Sequence, residues 1–232
     1  MPLPSLEPHP VDFWYGQLSD DAAESQQYLP LLDATELARA ETLGNPLIKT
    51  RYIEVRGRLR RVLADKLKQH PASIRIERTE YGKPYLADHP QLVFSLSHTG
   101  NQFVIVAAPN CKLGVDIERI QIRANLAALV GRCFSDAERV YWQALPEAEK
   151  TPAFYEFWTK KEAFVKATGR GIALGLPQCV VDPQQPEVFL SLPEGYGPIE
   201  AWQAISLAIP TSNHPICAAL VLDKPQVHIR HF

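Results

Sequence analysis

Two stretches decide the reading of this chain: Pro152-Ala-Phe-Tyr-Glu-Phe-Trp-Thr-Lys-Lys-Glu-Ala-Phe-Val-Lys-Ala-Thr168 and, upstream, Gly114-Val115-Asp116-Ile117-Glu118-Arg119. The first reads as a helix. Glu162 and Lys166 stand four apart and share one face, while Phe154, Phe157, Trp158, Phe164 and Val165 supply a wide apolar surface for burial. The second reads as a strand over Leu113 to Ile117, with Asp116 and Glu118 pointing to one side and Val115 and Ile117 to the other. Set face to face, the two elements bring three acids and a lysine together.

Outward from there the pattern repeats. Four prolines within residues 1–10 make an extended arm into a strand near Val11 to Leu18. Asp33-Ala-Thr-Glu36 opens a short helix that ends near Gly44, and the apolar stripe Tyr52, Val55, Leu59, Val62, Leu63, Leu67 predicts a longer one closed by Pro71. A strand at Ile74–Thr79, a turn at Tyr81-Gly-Lys-Pro84, and strands at Gln91–Leu96 and Phe103–Ala108 around Ser97-His-Thr-Gly-Asn101 follow. After Pro109 to Lys112 the order recurs: the strand at 113–117, a helix opened by Ser135-Asp-Ala-Glu138, the long helix started by Pro152 and stopped by Gly169, then strands near 178–181, 187–192, 200–208 and 216–222. The reading is an α+β fold of two similar halves in one chain, 1–110 and 111–232, with the ligand site in the cleft between them.

Composition narrows the function classes. The 232 residues, 46% hydrophobic and 22% charged, suit an ordinary globular protein, and a net charge of -2 argues against a surface built for nucleic acid. No stretch approaches 18 consecutive apolar residues and no basic-then-apolar leader opens the chain, so neither membrane nor secretion is expected and the setting is read as cytoplasmic. Cys111, Cys133, Cys179 and Cys217 are too scattered for a zinc site and read as reduced thiols.

Asp116, Glu118 and Glu162 offer three hard oxygen donors from two elements, the set that suits Mg²⁺ holding phosphate oxygens. The structural alternative is a solvated strand edge with Glu162 paired to Lys166, but strongly apolar flanking strands make unpaired charges there costly. Lys166 reads equally as an anion ligand or as a snorkelling surface residue. Ser97 and His98 sit at a strand end beside Gly100, suited to a phosphate or simply to a turn. In the basic run from Lys49 to Lys68, Arg51 and Arg58 flank the apolar stripe and are placed to reach a cleft. Glu138 occupies the third position of a capping box, a structural role, and is kept also as a candidate base.

Taken in order, Gly82-Lys-Pro84, Ser97-His98, Gly114-Val-Asp-Ile-Glu118 and Phe157-Trp-Thr-Lys-Lys-Glu-Ala-Phe-Val-Lys166 resemble the 4'-phosphopantetheinyl transferases of the Sfp type, over roughly Val11 to Leu222. The resemblance implies a pseudo-dimeric chain with coenzyme A between its halves. It places Mg²⁺ on Asp116, Glu118 and Glu162, Lys166 on a phosphate oxygen, Ser97, His98 and Arg51 near the 3'-phosphate, and Gly82, Lys83 and Pro84 around the adenine. Arg39 aligns only loosely with a second phosphate contact. Glu138 matches the proposed proton acceptor. The implied reaction is transfer of phosphopantetheine to a serine of an apo acyl or peptidyl carrier protein by a monomeric enzyme, with release of 3',5'-adenosine bisphosphate. A coenzyme A or nucleotide-binding module and a phosphohydrolase are the competing expectations.

Overall fold

The structure, a computed structural model, describes residues 7–171, 175–210 and 214–232; Pro2 and Pro4 of the expected arm lie outside the described residues. The first half runs β1 (His9–Gln17), α1 (Ala22–Ser25), α2 (Ala34–Glu41), α3 (Pro46–Leu67), the hairpin strands β2 (Ile76–Arg78) and β3 (Pro84–Leu86), then β4 (Leu92–Thr99) and β5 (Gln102–Pro109). The second runs β6 (Leu113–Arg119), α4 (Leu126–Cys133), α5 (Asp136–Ala144), α6 (Glu147–Thr168), β7 (Val180–Val181), β8 (Phe189–Ser191), β9 (Gln203–Ser206) and β10 (Ile216–Leu222), with β11 (Val227–His231) after it.

The ladders of segments 1–110 and 111–232 share one pattern. In the first half β5 pairs antiparallel with both β1 and β4; in the second β10 pairs antiparallel with both β6 and β9. Each half also carries a 22-residue helix, α3 and α6, followed by a small two-stranded sheet. β11 then pairs in parallel with β1, Val11 opposite Ile229, so a strand of segment 111–232 completes the sheet of segment 1–110.

Alternation within the central strands builds four layers. Val104, Val106 and Ala108 of β5 share a core with Val115 and Ile117 of β6 and with Leu220 of β10. The intervening Phe103, Ile105 and Ala107 pack instead with Leu59 and Leu63 of α3. Ala219 and Val221 of β10 pack with Phe157 and Phe164 of α6. The two sheets therefore share an inner core and each long helix covers an outer face, the period-two pattern of strands buried on both sides.

Between the halves, β4 meets β6 through side chains. Ser95, Ser97 and Thr99 alternate along β4. Ser95 Oγ accepts from Val115 N at 3.1 Å, Ser97 Oγ donates to Asp116 Oδ1 at 2.8 Å and Thr99 Oγ1 accepts from Arg119 N at 3.2 Å.

Local signals place the helices. Asp33 and Glu36 close a capping box on α2, Asn45 caps α3 with Pro46 in its first turn, and Gly169, at φ 71°, ends α6 in the left-handed region. Two expectations are corrected. α6 starts at Glu147, not Pro152, because Glu147 and Glu149 favour the amino end of a helix and one proline inside removes a single hydrogen bond without ending it. Ser97 and His98 lie within β4, the turn being made by Gly100 at φ 57° and Asn101. α4 and β11 were not anticipated. Among the described residues no helix is long and apolar enough to cross a membrane.

Candidate active site

β6 and α6 meet at unusually short range because Gly114 has no side chain. A Cβ there would lie 3.0 Å from Ala167 Cα and closer still to Ala163 O and Ala167 N. With the helix backbone resting on the strand, the side chains one register further along face one another. Asp116 is buried at 5% exposure, and its Oδ1 accepts from Ser97 Oγ at 2.8 Å and Lys166 Nζ at 2.6 Å. Lys166 also donates to Ser97 Oγ at 2.7 Å. Asp116 Oδ2 is buried with no hydrogen-bond partner.

Glu118 and Glu162 complete the acidic face. Burial, then the negative charge of Asp116, holds the Glu118 carboxyl above its usual range, against the opposing effect of Arg123 and of Trp158 on α6. The same two causes push Glu162 up to about 7. Glu162 makes no hydrogen bond or ion pair among the described residues. The charge of Asp116 reaches both glutamates and that of Glu118 reaches Glu162, yet among the described residues no three His, Cys, Asp or Glu side chains stand in an arrangement that could hold a metal ion. Lys166 pairs with one oxygen of Asp116. The donor chemistry nonetheless fits a hard divalent cation. Three carboxylates face a single ammonium, and one buried oxygen has nothing to bind.

A groove of about 350 Å³ adjoins this face, lined by Gly82, Lys83 and Pro84 on one side, His98 on β4 and Lys166 on α6. Gly82, at φ 83°, makes the turn into β3, and Arg78 Nη1 donates to its carbonyl at 2.8 Å. Lys83 lines the groove with its stem while its ammonium turns inward, donating to Ala167 O at 2.6 Å and Leu113 O at 3.2 Å. Burial lowers that ammonium to about 8. It therefore caps the carboxyl end of α6. His98 is held below the ordinary imidazole range by partial burial and by the positive charges of Lys166 and Arg51.

Sequence reasoning missed Arg56 and Arg78, which also line the groove. Arg56 pairs with Glu36 at 2.5 Å, and its position was obscured by the many basic residues of α3. A lone arginine before a turn, as Arg78 is, carries no motif at all.

Other expected residues go elsewhere. Arg51 binds Asp20 through two hydrogen bonds of 2.7 and 2.9 Å and lines a neighbouring hollow of about 310 Å³ with Thr99 and Arg119. It lies close enough to act on His98 electrostatically, not in the groove itself. Arg58 does not reach a cleft: it pairs with Glu54 and lies over the rings of Tyr28 and Phe103. Arg39 donates to Thr42 Oγ1 at 3.2 Å. Glu138 is the sharpest departure. It is fully buried, closes the capping box with Ser135, accepts from Val181 N at 2.8 Å and pairs with Lys161 at 2.9 Å, so both oxygens are committed inside the fold. The structural role weighed for it is present, and at 0% exposure it presents no oxygen to a substrate hydroxyl.

Residues 112–219 match the family model of the 4'-phosphopantetheinyl transferase superfamily, and residues 50–110 match that of the 4'-phosphopantetheinyl transferase N-terminal region. The chain is similar to 4'-phosphopantetheinyl transferase HetI of Nostoc sp., 31% identical over 91% of this chain and 86% of that protein. A 4'-phosphopantetheinyl transferase of Bacillus subtilis is 30% identical over 78% of each. Sfp of Bacillus subtilis is 34% identical over 60% of this chain and 62% of its own.

Proposed function

The chain belongs to the 4'-phosphopantetheinyl transferase superfamily, and from that premise we propose that it moves the phosphopantetheine arm of coenzyme A to a serine of an apo acyl or peptidyl carrier protein, using Mg²⁺. The observation that carries the reading is the convergence of Lys166, Asp116, Glu118 and Glu162 beside a groove that also presents His98 and the Gly82–Pro84 turn.

Coenzyme A joins a flat base to a run of phosphates, and the groove supports both. The backbone at Gly82 and Pro84 gives a close, uncharged wall for the base, while His98, Arg56, Arg78 and Lys166 oppose phosphate charge. Asp116, Glu118 and Glu162 would hold Mg²⁺; when bound, it supplies polarisation of the pyrophosphate and relief of charge on the departing group.

The reaction follows from that placement. The serine oxygen attacks the β-phosphorus, a new P–O bond forms, and the bond to the α-phosphate oxygen breaks with its electrons leaving on 3',5'-adenosine bisphosphate. Lys166, next to Asp116, is placed to neutralise oxygens of the transferred phosphorus as charge shifts. The serine proton is assigned to Glu162 instead of Glu138, since Glu162 is at the site and has a free oxygen. The chain itself provides no covalent nucleophile, and positioning and charge carry the rate. Both walls of the groove come from one chain, which supports a monomer, and four free cysteines suit the reducing cytoplasm.

The test offers the protein coenzyme A, Mg²⁺ and a panel of apo-carriers. A mass gain of one phosphopantetheine arm on a carrier serine is expected. Binding of coenzyme A with no carrier modified, or its hydrolysis without any carrier, would overturn the proposal.

A further inference from the structure

One step along α6 from Glu162, and so turned about 100° from it, Lys161 points into the protein and is 0% exposed. Its ammonium has three hydrogens and meets three oxygens: Glu138 Oε2 at 2.9 Å, Leu176 O at 3.0 Å and Cys179 O. Glu138 has a partner on each oxygen, with Val181 N on Oε1 and Ser135 N beside Lys161 on Oε2 at 2.7 Å. The network is closed, with no spare donor on the lysine.

We infer that Lys161 and Glu138 are positioning residues of the transfer reaction, fixing the rotation of α6 about its own axis and so aiming Glu162 and Lys166 at β6. The inference rests on the function proposed above for that face.

Stability alone is a poor reason for such a pair, because buried ion pairs are often replaced by apolar side chains with no loss. What an apolar replacement does not reproduce is direction. The three acceptors sit on α5 and on the chain from Leu176 to Cys179, so they hold Lys161 from more than one side. Opposite them, Gly114 lets β6 abut Ala163 and Ala167. Side-chain ends lie about 5–6 Å from a helix axis, so a rotation of about 20° displaces the Glu162 and Lys166 head groups by roughly 2 Å. Misplacement of about 1 Å is enough to slow a positioned reaction about a hundredfold.

Trp158 reports the same rotation without any ligand. It stands four residues before Glu162 on α6, and its indole lies near enough to Glu118 on β6 to favour the charged carboxylate.

The experiment compares wild type with Glu138→Gln, Lys161→Met and the double variant Lys161→Met/Glu138→Leu. Each is first shown to be folded by urea titration, and Glu138→Gln, which keeps the side-chain shape and one acceptor, covers the case in which Lys161→Met does not fold. The expected result is a kcat lowered at least about tenfold, a larger change than in KM for coenzyme A, with a shifted Trp158 indole N–H resonance in ¹⁵N-labelled protein. The double variant should regain stability but not kcat. A folded Glu138→Gln with wild-type kcat and an unmoved Trp158 resonance, or a double variant that regains both, overturns the inference. If wild type modifies no carrier, the proposed function falls by itself, while the Trp158 resonance still decides the question of rotation.

Discussion

Replacing Gly114 by alanine adds one methyl group at the point where strand and helix backbones touch. Its Cβ would come within 3.0 Å of Ala167 Cα and nearer to Ala163 O and Ala167 N. None of these three is the tip of a side chain that can swing aside. To recover separations of ~3.5 Å, α6 must retreat on the order of 1 Å from β6. Overpacking of this kind typically costs about 1–3 kcal/mol, which for a chain of this size is a fall in Tm of roughly 2–4 °C per kcal/mol. The retreat carries Glu162 and Lys166 away from Asp116, so the rate of carrier modification should drop about a hundredfold even where the protein is folded. Calorimetry gives the Tm, and mass spectrometry of the carrier gives the rate at a temperature below both transitions. A variant with wild-type Tm and wild-type rate would refute the claim that backbone contact at Gly114 sets the distance between the acids.

Asp116→Asn keeps shape but removes the charge shared by Lys166 and Ser97; carrier modification should fall at least about a hundredfold with the circular dichroism spectrum unchanged. The raised carboxyl of Glu162 fixes the sign of a pH effect in metal-free protein: the folded state holds a proton that the unfolded state has lost, so stability falls as pH rises from about 4.5 to about 7. In chelator, Glu162→Gln should therefore be more stable than wild type above pH 7 and gain nothing below pH 4, while added Mg²⁺ should stabilise wild type above pH 7 and not the variant; urea midpoints across pH check both. Lys83→Met leaves Ala167 O and Leu113 O without their donor, a loss of about 1–3 kcal/mol in urea unfolding. Because its ammonium faces inward, KM for coenzyme A should change far less than stability.

Much of the site was readable because it obeys short-range periodicity. Two-residue spacing in β6 put Asp116 and Glu118 toward α6 and Val115 and Ile117 into the core, and four-residue spacing put Glu162 and Lys166 on one helix face. The capping boxes at Asp33 and Ser135 were readable for the same reason. What escaped depends on partners far apart in the chain. Glu138 is committed by Lys161 and Val181, Arg51 by Asp20, and the ammonium of Lys83 by carbonyls at 113 and 167. No local pattern announces such pairings. β11 was missed because five alternating residues signal a strand only once β1 offers an edge to receive them.

That borrowed strand also governs how the molecule divides. Cut after residue 110, the leading piece would keep β1 but lose the neighbour whose backbone covers its outer side, from His9 opposite Val227 to Phe13 opposite His231. Bare peptide groups along such a rim invite pairing with another copy. Supplying residues 111–232 as a separate polypeptide should restore the missing partner in trans, so co-expressed fragments ought to reassemble where the leading piece by itself precipitates.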